Sequence, residues 1–347
     1  MRTYISFRIL RGHVSLLAHR KTILLSLALL MVCIVAVVIS IGTGSMTIAP
    51  IEVIRSLLGI GAEEHLMVIQ AIRLPRILIA VLVGASLAAA GAILQGVIRN
   101  PLASPDIIGI TGGASAAAVA FLNYGAGMLS IRYLPAAAML GAVAVFIVLY
   151  LLSWKNGVKP LRLILVGVGL SSLLSGMTTM MIIFNPNNEA SQAYFWLTGS
   201  IYGTKMEHVY MILPWTLVFI PLAWVLARHI NIGQLGDDIA GGAGSAVQRN
   251  RLFLLLISVA LAASAVAVGG GIGFVGLIAP HMARKLVGAS FGSVLPIASL
   301  LGAIIVVLAD LAGRMLLQPL DIPVGVFTSA VGAPFFIYLL YTRRNSR

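Results

Sequence analysis

The chain has 347 residues, of which 60% are hydrophobic and only 10% are charged. This composition predicts an all-α polytopic membrane protein and excludes an ordinary water-soluble globular protein. The net charge of +13 could indicate nucleic-acid binding, but the charges cluster at the ends of apolar segments, so we expect no nucleic-acid partner.

Apolar segments recur along almost the whole chain. A helix needs about 20 apolar residues to cross about 30 Å of hydrocarbon. We predict ten transmembrane helices, called spans 1 to 10, at 23–41, 77–97, 107–122, 134–154, 163–183, 207–226, 252–270, 274–288, 293–313 and 323–341. Span 1 is too long for the apolar core of a secretory signal and no small-residue cleavage site follows it, so we expect a retained helix.

The basic residues predict the orientation of the spans. With the N-terminus inside, six of the 23 lysines and arginines lie outside and the other seventeen lie in the cytoplasm. The six outer residues are Arg55, Arg73, Arg76, Arg132, Lys205 and Arg314. The positive-inside rule then places the basic N-terminus (1–22), the loop 227–251 and the tail 342–347 in the cytoplasm, against anionic membrane lipid. We treat 1–347 as one transmembrane domain.

Two segments, 84–96 and 260–271, are rich in alanine and glycine, which predicts central helices packed closely against protein. Each is followed by a polar segment that contains proline, at 98–109 and 276–288. The two segments have opposite predicted orientations. This weak similarity favours an inverted repeat of spans 2–5 and 7–10, a feature of transporters.

Charged residues near the outer ends of two spans need partners. Arg73 and Arg76 flank Pro75 at the start of span 2, where the helix dipole disfavours cations, so we expect an acidic partner. Asp310 lies four residues before Arg314 in span 9, the favourable order for an ion pair. An acidic residue inside a membrane can also serve as a proton relay, but we favour neutralisation of Arg314.

Catalytic and cofactor sites are not indicated. Gly271, Gly273 and Gly276 match a dinucleotide-binding spacing, but they follow a membrane helix and no acidic residue follows at the required distance. The sequence has no phosphate-binding P-loop, and His281 has no second ligand at metal-binding spacing. We therefore expect no catalytic residue, no metal and no cofactor bound by this chain.

Several motifs together resemble one family, the permease subunits of type II ABC importers for iron-siderophores, haem and vitamin B12. The matching stretches are IRLPRILIAVLVGASLAAAGAILQGVIRNPLASPDIIGITGGA (72–114), WLTGS (196–200), LGDDIA (235–240), GFVGLIAPHMAR (273–284), LADLAGR (308–314) and DIPVGVFTSAVGAPFF (321–336). They occur in order from span 2 to the C-terminus.

The resemblance implies a dimer, with a second copy or a sister permease, whose substrate path lies between the subunits. It implies that Arg73, Arg76 and Arg314 dock an extracytoplasmic siderophore-binding protein. It also implies that Leu235, Gly236, Asp237, Asp238 and Ala240 form a coupling segment against a cytoplasmic ATPase dimer, which carries ATP and Mg²⁺. Residues at the breaks in the path would be Asn100, Pro101, Pro105, Gly273, Gly276, Pro280, His281 and Arg284.

The leading hypothesis is a permease subunit in the bacterial cytoplasmic membrane that imports an iron(III)-siderophore and is not itself an enzyme. A haem or vitamin B12 permease of the same family is one alternative. A different class, an ion-coupled secondary transporter that uses Asp310, is the other.

Overall fold

A computed structural model describes residues 4–9, 14–44, 46–125, 129–184, 190–317 and 320–344. These residues form fifteen α-helices: α1 Arg20–Gly42, α2 Pro50–Leu57, α3 Glu63–Met67, α4 Leu74–Ile98, α5 Ile110–Ala120, α6 Leu134–Ser153, α7 Pro160–Ile183, α8 Ala190–Leu197, α9 Met206–Val225, α10 Ala227–Gly233, α11 Asp237–Gly242, α12 Val247–Gly269, α13 Val275–Val287, α14 Phe291–Met315 and α15 Val324–Arg344. A π-helical segment, Val68–Arg73, joins α3 to α4, and another, Phe121–Gly125, follows α5.

The all-α membrane architecture is confirmed, although the ten spans differ in length. Seven helical segments in the described part of the chain are long and apolar enough to cross a membrane. Spans 3, 8 and 10 fall outside this set, because α5 has 11 residues, α13 has 13, and the apolar part of α15 is the shorter stretch Val324–Tyr338. Since 13 helical residues extend about 20 Å, α13 covers only part of a bilayer of about 30 Å.

An addition to the predicted fold precedes α1. Strands β1 (Tyr4–Ile9) and β2 (Val14–His19) pair antiparallel, with Tyr4 opposite His19 and Ile9 opposite Val14. The sequence predicted only a basic extension here. A two-stranded hairpin is only marginally stable by itself, and the hydrophobic periodicity of a six-residue segment is too short to predict a strand.

Three helices form the centre of the molecule. In α4 and α12, 78% of the most apolar window is buried, and in α14 the share is 72%, against 17% in α1 and α7. This confirms the prediction that 84–96 and 260–271 lie in central helices. Long apolar length alone could not distinguish them, because helices that face lipid are equally hydrophobic.

Glycine pairs bring the central helices together. A Cβ atom on Gly84 would collide with the carbonyl of Gly302, which shows that the backbones of α4 and α14 touch there. A Cβ on Gly91 would similarly collide with the carbonyl of Gly276 in α13. Such close approach favours helix association in lipid. Lipid gives no hydrophobic driving force between helices, so the helices associate through dispersion contacts.

Helix pairing recurs in the two halves of the chain. Helix α4 packs on α14 as α12 packs on α6, and α5 packs on α6 as α13 packs on α14. The last helix of each half follows the same rule, since α6 contacts α7 and α14 contacts α15. This correspondence is what the predicted repeat of spans 2–5 and 7–10 requires.

The second break lies earlier than predicted. Residues 276–287 are helical, whereas the chain turns at 270–274, where Gly270 and Phe274 both have positive φ angles of 67° and 66°. The turn thus lies where predicted spans 7 (252–270) and 8 (274–288) meet, as their bounds require, but the polar break expected at 276–288 is helical. Gly273 lies in the true break, but Gly276, Pro280, His281 and Arg284 lie within α13.

The helix continues through Pro280 because a neighbouring side chain replaces the lost hydrogen bond. Proline has no N–H to donate to the carbonyl of Gly276. The buried amide Nε2 of Gln95, in α4, donates to this carbonyl at 3.3 Å and to that of Leu277 at 3.4 Å. Arg284 in turn donates to Oε1 of Gln95. Packing of α4 on α13 thus satisfies backbone groups that lipid could not.

Candidate functional site

The first candidate site lies at the predicted outer ends of α4 and α14, and Arg76 is at its centre. Its Nε donates to Oδ1 of Asp310 at 2.8 Å. Its two terminal nitrogens donate to both oxygens of Asp321, at 2.7 and 2.9 Å. The guanidinium also lies 5.7 Å from the ring centroid of Tyr202. A forked pair of this kind fixes the guanidinium plane as well as its position.

Asp310 holds a second arginine from its own helix. Nε of Arg314 donates to Oδ2 of Asp310 at 3.0 Å, which confirms the predicted pair. The terminal nitrogens of Arg314 donate to the carbonyls of Thr43 and Ser40, both at 2.9 Å, and to the Ser40 hydroxyl at 2.6 Å. Asp310 is fully buried, so its two arginine partners compensate for the loss of water.

Arg73 fastens the end of α1. It is 7% exposed, and its terminal nitrogens donate to the carbonyls of Ile41 and Met46, both at 2.6 Å. The last carbonyls of a helix have no partner within the helix, and cations are favoured near this negative end of its dipole. Arg73 and Arg314 both perform this function for α1.

The three arginines predicted to dock a partner therefore converge, together with Asp310, as one cluster. Each of them already has internal hydrogen bonds. Arg76 uses three of its five N–H groups in the bonds described above, and a guanidinium can donate from all five. The docking role of Arg73, Arg76 and Arg314 stays a prediction.

The second candidate site is the segment 227–251, which leads into the start of α12 on the predicted cytoplasmic side. It contains two short helices, α10 and α11, before α12 begins. Both oxygens of Asp237 accept from Arg251, at 2.8 and 2.9 Å, and Arg99 donates to Oδ1 at 2.9 Å. The buried Arg251 also donates to the carbonyl of Val158. Asp237 thus anchors α11 to α4 and α12.

Other residues of this segment face outward. Leu235 is 63% exposed and Ile239 is 60% exposed, while Asp238 is also exposed and Ala240 is buried. Gly236 has a φ of 115° and permits the turn that begins α11. Within the described residues, a Cβ atom on Gly241, Gly242 or Gly244 would meet nothing within 4 Å. The exposed residues form an accessible surface suited to another protein. We call Leu235, Asp238, Ile239, Gly241 and Gly242 the coupling face.

The break after α4 (98–109) lies close to the break before α13 (270–274). Asn100 caps the first break, since its Oδ1 accepts from the backbone N–H of Leu102 at 2.9 Å. Pro101 follows it, and the buried Pro105 packs near Gly276 of α13.

A buried acid joins the two breaks. The carboxylate of Asp106 accepts from the Thr111 hydroxyl at 2.7 Å and from the backbone of Phe274. His281 contacts the ring of Phe335 in α15 edge-on, at 6.0 Å.

Sequence reasoning missed four of the residues that hold these sites: Gln95, Asp106, Arg251 and Asp321. The opposite charges of Asp237 and Arg251 at the two ends of one loop were the only available signal. Asp321 lies 245 residues from Arg76 along the chain, so no local pattern connects them.

Comparison with known proteins places these features in context. The model of the FecCD transport family matches residues 31–342. The achromobactin transport system permease protein CbrC of Dickeya dadantii is 50% identical over 92% of this chain and 91% of its own. The Fe(3+)-citrate import system permease protein YfmE of Bacillus subtilis is 43% identical over 93% and 96% of the two chains.

A solved structure has the same fold. It is described as an inward-facing conformation of a metal-chelate type ABC transporter. It superposes with a TM-score of 0.80 and 32% identity, covering 91% of this chain and 98% of that one.

The Asp310→Asn variant is expected to lower the free energy of unfolding by about 3–5 kcal/mol, because two mostly buried arginines lose their shared counter-charge. Thermal unfolding in detergent measures this change. The matched control is Glu52→Gln, which removes a surface pair in which Arg55 is 57% exposed, and should cost no more than about 1 kcal/mol. Equal effects of the two variants would contradict a stabilising role for Asp310.

The Asp237→Asn variant is expected to increase local opening of α11, because the buried Arg251 loses its charged acceptor. Hydrogen exchange of the amides at 237–246 measures the opening. Asp238→Asn changes an adjacent exposed acid and should leave the exchange rates unchanged. Identical rates in both variants would show that Asp237 does not anchor the segment.

Proposed function

The chain belongs to the FecCD transport family, and we propose that it is the membrane-spanning permease subunit of an ABC importer that carries an iron(III)-siderophore. The observation that carries this proposal is the family match over 31–342. Relatives named for achromobactin and for Fe(3+)-citrate support a ferric chelate as the substrate class. ATP hydrolysis belongs to a partner subunit, with ATP and Mg²⁺ bound there.

The distribution of charge supports a passive path for a large substrate. Among the described residues, the linked ion pairs lie around Arg76 at one end and around Asp237 at the other. Affinity then comes from an external binding protein and directionality from the ATPase. A chelate larger than an amino acid needs a broad cavity, which helices of small side chains can line without charged contacts.

The outer cluster is the proposed dock for the siderophore-binding protein. Arg76 and Arg314 are preorganised by Asp310, so a docking carboxylate would meet guanidinium groups that are already oriented. Arg76 has N–H groups left for such an acceptor. We assign Arg73 mainly to the support of α1, since both of its terminal nitrogens donate to backbone carbonyls at that helix end.

The coupling face is the proposed contact with the ATPase dimer. Leu235 and Ile239 present apolar side chains beside Asp238, and the glycines allow the backbone of a partner to approach closely. The Asp237 anchor would transmit movement of α11 to α12 and α4, because it joins all three. Both termini are proposed to lie on this cytoplasmic side of a bacterial cell membrane.

One side of α7 supports pairing with a second permease. Positions spaced by four and three residues carry small side chains on an exposed stripe: Gly169, Ser172, Gly176 and Thr179. The hydroxyls of Ser172 and Thr179 bond to carbonyls one turn earlier, at 3.0 and 2.9 Å. Small residues are typical of helix contacts, and large apolar side chains are typical of lipid-facing surfaces. The partner is a second copy or a sister chain.

An ion-coupled secondary transporter is less well supported. A proton relay needs an acid that can exchange protons with a water-filled path. Asp310 is fully buried, and both of its carboxylate oxygens already accept hydrogen bonds from arginines. Haem and vitamin B12 remain alternative substrates within the family.

Uptake of iron provides the test of this function. Cells that lack the chain should lose uptake of one ferric siderophore, whereas haem and vitamin B12 uptake should be unchanged, and its expression should restore iron uptake. The tagged chain should co-purify with an ATPase and a permease partner. Uptake by proteoliposomes that contain this chain alone, driven by a proton gradient, would contradict the proposal and establish the secondary transporter.

Arg76→Glu is expected to weaken docking of the binding protein about tenfold or more, because a carboxylate on the partner would meet a like charge. Affinity of the detergent-purified importer for the loaded binding protein measures this. Arg132→Glu is the matched control on the same side, since Arg132 is 73% exposed outside the cluster.

Arg76→Lys keeps the charge and should retain more affinity than Arg76→Glu at the same folded fraction. Unchanged affinity in Arg76→Glu would refute the docking assignment.

A further inference from the structure

A groove of about 430 Å³ lies between α9 and α12. Phe219, Leu222 and Leu226 line it from α9 and its C-terminal end, and Phe253, Leu256 and Ile257 line it from α12. Phe253 and Leu256 are exposed rim residues, whereas Ile257 is buried in the floor. The groove is therefore an apolar furrow, open to the surroundings of the helices.

One end of the groove is polar. His229 and Asn250 both line it, and their side-chain nitrogens lie 3.1 Å apart. Asn250 also donates to the hydroxyl of Ser245 at 3.1 Å, just after α11. The groove thus runs from an apolar part beside the middle of α12 to a polar end at the proposed cytoplasmic boundary.

A basic residue, Arg249, directly precedes the lining residue Asn250 at this polar end. Arg249 precedes Phe253 by four residues and Leu256 by seven, so the three lie on one stripe of α12. Arg249 is exposed, and no acidic side chain among the described residues pairs with it. An unpaired cation at the end of an apolar furrow suits a ligand with an anionic head and a hydrocarbon tail.

We propose that this groove binds one anionic phospholipid of the cytoplasmic leaflet. The acyl chain lies between α9 and α12 against Leu222 and Leu256, and the phosphate lies at Arg249 beside His229. Basic pockets between transmembrane helices on the cytoplasmic side are suited to such headgroups. The proposal rests on the orientation proposed above, and it does not depend on which substrate is carried.

A lipid fits this surface better than a second copy of the chain. The exposed side chains of α9 outside the groove are also large and apolar, including Leu217 at 62% and Val218 at 56% exposed. The small-residue stripe proposed for the second permease lies on α7, which packs mainly on α5 and α6. The bound lipid would lie beside the Asn250 to Ser245 contact that holds the end of the coupling segment.

Native mass spectrometry of the purified importer, exchanged into mixed micelles with phosphatidylglycerol or phosphatidylcholine, tests the site. The wild type should retain phosphatidylglycerol in preference to phosphatidylcholine. Arg249→Gln should lower the preference about fivefold, the effect of one basic charge near an anionic surface. Leu256→Trp should fill the groove and abolish retention of both lipids. Leu256 is 44% exposed, so this variant is expected to fold.

The matched control is Leu217→Trp, which adds the same bulk to the lipid-facing surface of α9 outside the groove and should retain lipid as the wild type does. Equal lipid retention by the wild type and the three variants would mean that only general annular lipid is bound. This outcome would overturn the proposal. Loss in Leu256→Trp without any headgroup preference in the wild type would overturn the assignment to an anionic lipid. Neither readout requires substrate transport, so a failure here is distinct from a failure of the proposed function.

Discussion

The carboxylate of Asp310 is the interaction on which the outer end of the structure depends. It is fully buried and accepts from Arg76 at 2.8 Å and from Arg314 at 3.0 Å. Through these two arginines it joins α4 to α14, and Arg314 continues the connection to the last carbonyls of α1. A buried charge is tolerated when opposite charges and hydrogen bonds replace its water, and here every connection also positions a helix end.

The same requirement explains the rest of the interior. In a membrane each backbone group must find a partner within the protein, so helices end or bend only where neighbouring residues can satisfy them. Gln95 donates to the carbonyl of Gly276, which has no N–H partner at Pro280. Asp106 accepts a hydrogen bond from the backbone of Phe274 at the second break. Glycine contacts between α4, α13 and α14 bring these groups within reach. Close packing and polar satisfaction are therefore one structural solution.

Charged groups lie at both ends of the molecule, and each end has a different proposed role. Oriented arginines lie at one end, and an anchored segment with an exposed face lies at the other. The central helices between them belong to two halves with matching contacts. Such a duplicated arrangement allows one half to move against the other, as alternating access requires. The arginines proposed to dock a partner also hold the fold together, because Arg73 and Arg314 donate to the last carbonyls of α1.

Composition, residue spacing and motifs were enough to predict the membrane class, the central position of 84–96 and 260–271, the pair of Asp310 with Arg314, and the family. These features depend on composition, local spacing or contiguous motifs, which remain readable along the chain. Three features emerged only from the packed fold: Asp321 pairs with Arg76, Arg251 holds Asp237, and α13 continues through Pro280. The last of these shows that the break expected at 276–288 is helical. Each of these depends on groups that packing brings together from distant positions, and periodicity within one segment carries no information about such partners.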